Sequence, residues 1–398
     1  MPFPAQRALR TSALLAVVLA CVATPAAAQD EHSRQWFLDD MQAEQMWKVS
    51  RGEGITVAVI DTGVDASLPE LRGLVLEGTD TSNNPTDAHM DSERHGTNMA
   101  TLIAGSGADG GIQGLAPESK ILPIKAVPDQ RVDAVDPLIS RAIRYAADHG
   151  AKVINISKGA LGVPANFTKT QSAVNYALGK GSLIFASTGN DGDKANEPAF
   201  PAALPGVVGV GAIDRQGKVA KFSTYGNQVG LVAFGDEIVQ HCEKGSGYCI
   251  AGGTSQATAI ASASAALIWA KHPDWTNNQV LRVMMDTAGK PAGAKMPSKY
   301  LGYGSVRPRK VLVDGEGDPG PANVNPLLAA NAPKPSASDS DPNSSAAGKP
   351  IAAATATDDG IGTITWVALG AGAAVITAAA IGFGVMRRRA KATYPTQP

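Results

Sequence analysis

The chain has 398 residues, with 35 Lys plus Arg against 36 Asp plus Glu and a formal net charge of −1. A balance so close to neutral, with no basic block interleaved with aromatics, excludes nucleic acid and other polyanions as partners. The length would fit two or three average domains, but both ends read as non-globular, which leaves one large folded unit.

Residues 1–28 carry Arg7 and Arg10, the apolar run "ALLAVVLACVATP" and the small-residue site Ala26-Ala27-Ala28. This is the pattern of a secretory signal peptide, whose apolar core is too short to span a bilayer. Leu19 and Val22 fit a lipid-attachment site around Cys21 poorly, so cleavage is expected after Ala28. Cleavage there removes one of three cysteines and leaves Cys242 and Cys249. An even pair in an oxidising compartment is expected to form a disulfide, with Gly245 and Gly247 free to turn the chain between them.

After an arm at 29–53, short β-branched runs alternate with helical patterns over residues 54–314. "ITVAVID" and "SKILPIKAV" are followed by the helix-like "PLISRAIRYAADHG", then "AKVINIS", the helix "TQSAVNYALGKG", "LIFAST" and "VVGVGAID". Strand, helix, strand in repetition predicts an α/β fold with a mainly parallel central sheet covered on both faces. In such sheets ligands gather at the carboxyl ends of the strands, where Asp61, Ser157 and Asn190 all fall. "GSGADG" at 105–110 formally matches a dinucleotide fingerprint, but it follows a helix and is read as a loop.

Residues 315–360 hold seven prolines and no aromatics, a composition expected to remain a disordered linker. Residues 361–386, "IGTITWVALGAGAAVITAAAIGFGVM", are 26 uncharged residues. As a helix they would run about 39 Å against about 30 Å of hydrocarbon, so they are expected to span a membrane. Asp358 and Asp359 precede this segment, while Arg387, Arg388, Arg389 and Lys391 follow it. The positive-inside rule then leaves 387–398 as a cytoplasmic tail and the folded unit outside the cell.

The run "VAVIDTGVD" ends an apolar strand on an ionisable group, Asp61. A two-aspartate protease would need a second Asp-Thr-Gly or Asp-Ser-Gly, and the nearest string, "MDTAGK", carries an extra Ala288. Two other partners present themselves. "HGTNMATLIAG" puts His95 at the head of a tightly packed helix, and "AGGTSQATAIASASAALIWA" brings Ser255 to the mouth of a long helix rich in small residues. A serine hydroxyl is a weak nucleophile until an imidazole takes its proton and a carboxylate fixes the imidazole tautomer. Those three residue types occur in the order Asp, His, Ser, and "GGTSQA" is not a Gly-x-Ser-x-Gly elbow.

These three motifs resemble those of the subtilisin-like serine peptidases over roughly residues 50–290. The resemblance implies a three-layer fold, with Ser255 as nucleophile, His95 as general base and then acid, and Asp61 as the group that orients the imidazolium. It implies that Asn190, in "FASTGNDGD", donates to the oxyanion together with the Ser255 amide. It also implies that Ser157, Lys158 and Gly159, in "INISKG", line the substrate-pairing segment, with Lys158 favouring an acidic or polar side chain near the cut. Ala259 and Phe234 stand where the family commonly has proline, Leu68-Pro69 where it has His-Pro, and Thr101 where it has glycine. Neither metal nor cofactor is expected: Asp191, Asp193 and Glu197 have no EF-hand spacing, and no zinc pattern is present.

The short arm, the signal peptide, the linker and the final span together resemble the membrane-anchored mycosins of type VII secretion systems. The arm is too short for a folded inhibitory pro-domain and is expected to wrap the catalytic unit, anchored by Trp36, Phe37, Met46 and Trp47. The resemblance implies two kinds of partner, an exported protein or peptide substrate and a secretion membrane complex. A chiefly structural role in that complex is the alternative to proteolysis.

Overall fold

The computed structural model describes residues 31–126 and 132–330. The arm contributes two short helices, α1 (Trp36–Asp40) and α2 (Ala43–Trp47). The body follows as β1 (Thr56–Asp61), β2 (Thr79–Asp80), α3 (His95–Ala104), β3 (Lys120–Lys125), α4 (Val132–Asp148), β4 (Val153–Ile156) and β5 (Ala160–Leu161). Next come α5 (Thr168–Gly179), β6 (Leu183–Ser187), β7 (Ala199–Phe200), β8 (Val208–Ile213) and β9 (Val229–Phe234). A hairpin of β10 (Ile238–His241) and β11 (Tyr248–Ala251) precedes α6 (Thr254–Lys271), α7 (Asn277–Asp286), α8 (Pro308–Leu312) and α9 (Pro326–Ala330).

Seven strands pair in parallel in the order β2-β3-β1-β4-β6-β8-β9. Successive side chains of a strand point to opposite faces, so each apolar run feeds two cores. Val57, Val59, Ile121 and Phe185 pack with α3 and α6 on one face; Ala58, Ile60, Leu122 and Ile154 pack with α4 and α5 on the other. The three-layer α/β expectation is met. β1 is the point where the order reverses, since β3 lies on one side of it and β4 on the other. The connections leaving β1 and β4 therefore diverge and open a crevice at the carboxyl ends of those strands.

Helix α6 has no solvent face along most of its length, because every residue from Thr254 to Trp269 is buried. Its Ala, Ser and Thr side chains let neighbours approach closely, and its hydroxyls find partners inside. Thr258 Oγ1 donates to Thr254 O at 2.7 Å, Ser264 Oγ to Ile260 O at 2.8 Å, and Ser262 Oγ reaches Asn155 Oδ1 of β4 at 3.1 Å.

The arm is pinned by both its apolar and its polar atoms. Phe37 and Met46 are wholly buried. Gln35 exchanges two hydrogen bonds with the Gln113 backbone, at 2.9 and 2.8 Å. The Trp36 indole donates to Glu237 O at 2.9 Å and meets Phe234 edge-on at 4.8 Å, which gives that unusual phenylalanine a packing role. The Trp47 indole donates to Leu115 O at 2.8 Å.

The linker boundary expected at 315 needs correction, because residues up to 330 are laid along α7. Ala322 O accepts from Thr276 Oγ1 and Asn278 Nδ2, both at 2.9 Å; Gly320 O accepts from Gln279 Nε2 at 3.1 Å and Val324 O from Arg282 at 2.8 Å. Composition misses this because the segment is held mainly through its own carbonyls, which any residue supplies. The expected signal peptide, the remainder of the linker, the span at 361–386 and the tail lie outside the described residues. Among the described residues no helix is long and apolar enough to cross a membrane.

Because α6 is packed on all sides, Ala263→Leu is expected to cost about 1–3 kcal/mol through overpacking. A lowered urea midpoint with an unchanged slope is the readout.

Candidate active site

Asp61 ends β1 with no exposure to solvent. Its Oδ1 accepts from Thr62 N at 2.8 Å and from His95 Nδ1 at 2.7 Å, while Oδ2 has no partner among the described residues. A carboxylate can only accept, so Nδ1 carries the ring proton and Nε2 is left as the basic nitrogen.

His95 is the first residue of α3, and three contacts seat it. Asp91 Oδ1 accepts from Arg94 N at 2.9 Å, and Oδ2 accepts from Thr97 N at 2.8 Å and Thr97 Oγ1 at 2.6 Å, so Asp91 satisfies the amide of the third helical residue. Gly96 N donates to Thr62 Oγ1 at 2.9 Å. A Cβ on Gly96 would fall 2.2 Å from Gly63 O, so only glycine lets the helix start lie against the turn that follows β1.

Burial by itself lowers the His95 pKa because it disfavours the imidazolium. The Asp61 charge and its hydrogen bond outweigh that effect; Lys158 opposes them and Glu243 adds to them, so the net shift is upward from 6.5.

Ser255 sits in the first turn of α6 and is 7% exposed. It lines a cleft of about 370 Å³ together with His95 and Asn190. Its hydroxyl donates to Ser157 O at 3.1 Å, and the Ser157 hydroxyl donates back to Ser255 O at 3.3 Å. The loop after β4 and the start of α6 are thereby fastened together, with the Ser255 hydroxyl turned to that carbonyl and not to the imidazole.

Asn190 follows β6, and its amide orientation is set by Thr254, whose N and Oγ1 donate to Asn190 Oδ1 at 2.9 and 3.0 Å. Nδ2 is left over as a donor. A methyl placed on Gly253 would fall 2.7 Å from Gln256 Oε1, 3.4 Å from Asn190 Nδ2 and 3.7 Å from Ser255 N, so only glycine leaves room between these groups.

The remaining expected residues are distributed unevenly. Ser157 is buried and engaged with Ser255. A Cβ on Gly159 would meet Phe200 O at 2.8 Å, where β5 pairs with β7. Lys158 Nζ lies 3.1 Å from Glu93 Oε2, in an ion pair open to solvent. Cys242 and Cys249 form a disulfide with Cα atoms 5.0 Å apart. Thr62, Asp91, Glu243 and Gln256 were missed. Only Asp91 had a local signal, an Asp shortly before an apolar helical run.

A parallel three-layer α/β body, with a buried Asp–His pair and a serine at a helix mouth beside it, is the arrangement of a serine hydrolase. Residues 52–304 match the model of the Peptidase S8 subtilase family, and the chain belongs to that family of serine endopeptidases. It is similar to the thermophilic serine proteinase of Bacillus sp. (strain AK1), 38% identical over 262 residues that make up 65% of this chain and 62% of that one. It is also similar to thermitase of Thermoactinomyces vulgaris, 34% identical over 70% of this chain and 96% of that one. Among solved structures, the MycP3 protease from the type VII (ESX-3) secretion system is 31% identical with a TM-score of 0.63, covering 72% of this chain and 90% of that one.

The His95 ring is expected to titrate above 6.5, and Asp61→Asn to bring the midpoint down, since the counter-charge is lost while burial remains. NMR of the imidazole Cε1–H against pH reads both. Asp91→Ala is expected to cost about 1 kcal/mol as the loss of a helix cap, visible as a lower denaturation midpoint.

Proposed function

We propose that the protein is an extracellular, membrane-anchored endopeptidase that cleaves exported proteins through an acyl-enzyme, with Ser255 as nucleophile, His95 as base and Asp61 as its orienting partner. The observation that carries this reading is the buried Asp61–His95 bond at 2.7 Å in the same cleft as Ser255. Rotation about the Ser255 side-chain bond takes the hydroxyl off the Ser157 carbonyl and brings it toward His95 Nε2. A substrate N–H that takes the Ser157 carbonyl would release it. The Ser255 proton then passes to Nε2 as Oγ bonds the scissile carbonyl carbon, and the carbonyl oxygen becomes anionic beside Asn190 Nδ2 and Ser255 N. The imidazolium gives its proton to the leaving amine, and a water activated by the same nitrogen hydrolyses the ester.

Similarity to a MycP3 protease supports an association with type VII secretion. The apolar segments at both ends of the sequence support export and single-pass anchoring with the tail in the cytoplasm. The Ser255 hydroxyl, held on a backbone carbonyl, is the observation that favours a mainly structural role, and Ser255→Ala separates the two. Secretion that needs the protein but tolerates Ser255→Ala would favour assembly over cleavage.

Fluorophosphonate labelling of the wild type, lost in Ser255→Ala, is the direct test of the nucleophile; an unlabelled wild type would remove it. Asn190→Ala is expected to lower kcat by about a hundred- to a thousandfold, the magnitude found for the same kind of donor in subtilisin. Gly253→Ala should also lower activity, because its methyl would fall 2.7 Å from Gln256 Oε1 and 3.4 Å from Asn190 Nδ2. Activity requires neutral His95 and is therefore lost as pH falls through a value above 6.5, with Asp61→Asn moving that limb to lower pH.

A further inference from the structure

We infer that the leaving-group side of the cleft holds a subsite for a basic side chain, built on Glu243 of the β10–β11 hairpin, so that peptides with Lys or Arg within two residues after the cut are preferred. The inference rests on the peptidase reading above and adds a substrate class to it. The cleft around His95, Asn190 and Ser255 is walled by Glu243, Cys249 and Ala251 of the hairpin region, and none of Ser157, Lys158 and Gly159 lines it. The acyl half of a peptide belongs with Ser157–Gly159, so the hairpin flanks the other half.

The chemistry of that wall is set by one unpaired carboxylate. Glu243 is exposed and has no hydrogen-bond or ion-pair partner among the described residues. Gln256 is 4% exposed; its Nε2 is committed to Gln240 Oε1 at 2.8 Å and its Oε1 has no donor. Among the described residues no Lys or Arg lines the cleft. Lys158, the cation that acts on His95, is taken up by Glu93. An ammonium or guanidinium brings both charge and donors to the exposed Glu243 carboxylate, whereas a carboxylate meets like charge there.

The hairpin is stiff enough to keep Glu243 where a substrate would find it. The Cys242–Cys249 disulfide crosses its loop, and Gly245 and Gly247 turn the chain at φ values of 84 and 87°. At its root His241 bonds Glu70 and packs on Tyr248 with ring centroids 4.7 Å apart. The His241 carbonyl accepts from Asn98 Nδ2 of α3 at 3.0 Å, which ties the hairpin to the helix that bears His95.

The test uses the full chain and quenched peptides identical on the acyl side, carrying Lys, Gln or Glu at the two positions after the cut. Lys is expected to exceed Glu in kcat/KM by about three- to tenfold, with the ratio shrinking as salt is added. Glu243→Gln should flatten the ratio and Glu243→Lys should invert it. A flat wild-type profile, or a ratio that neither variant moves, overturns the inference. In parallel, the same peptides are titrated by anisotropy against Ser255→Ala, where Lys should bind about three- to tenfold tighter than Glu. Peptides that bind with this preference but are never cut would sink the peptidase reading while upholding the subsite; cutting or binding with no preference would do the reverse.

Discussion

Asp61 is a carboxylate with no solvent exposure at the end of an apolar strand, and a buried charge without a partner would cost several kcal/mol. The His95 ring and the Thr62 amide supply that partnership, and much of the local architecture serves to keep the ring there. Asp91 caps the helix that begins with His95, Thr62 holds its second residue, and Gly96 lets it sit down on the turn after β1. One hydrogen bond thus depends on two loop residues and on a glycine of α3 itself.

The same economy governs the serine. Its helix is buried on all sides, which fixes the axis, and the loop after β4 is bonded to its first turn in both directions. Thr254, the residue before Ser255, holds Asn190 Oδ1 and so fixes the amide beside Gly253. Asp61 at the end of β1, His95 on α3, Asn190 in the loop after β6 and Ser255 on α6 come together near the place where the strand order reverses and the connections part.

Charge around the cleft is asymmetric. Lys158 is matched by Glu93, whereas Glu243 stands unmatched on a cross-linked hairpin and, after Asp61, also favours protonated His95. The charge felt by the His95 ring and the charge of the hairpin wall therefore share one residue.

Amino-acid order alone determined the alternation of strand and helix, the buried character of β1 and α6, the cysteine pair, and the candidates Asp61, His95, Asn190 and Ser255. Each of these is a local pattern: an apolar run with an ionisable end, a small-residue helix, a glycine-flanked side chain. The partners of those residues were not local. Asp91 acts across a turn, Glu243 approaches His95 from 148 positions away, counting 243 less 95, and Lys158 meets a glutamate 65 residues earlier. The packing of 315–330 was invisible for a related reason, since it is held largely by carbonyls common to every residue. Periodicity and motif report what a residue offers; only the folded chain decides which offers meet, because contact is set by the sheet order and not by distance along the polymer.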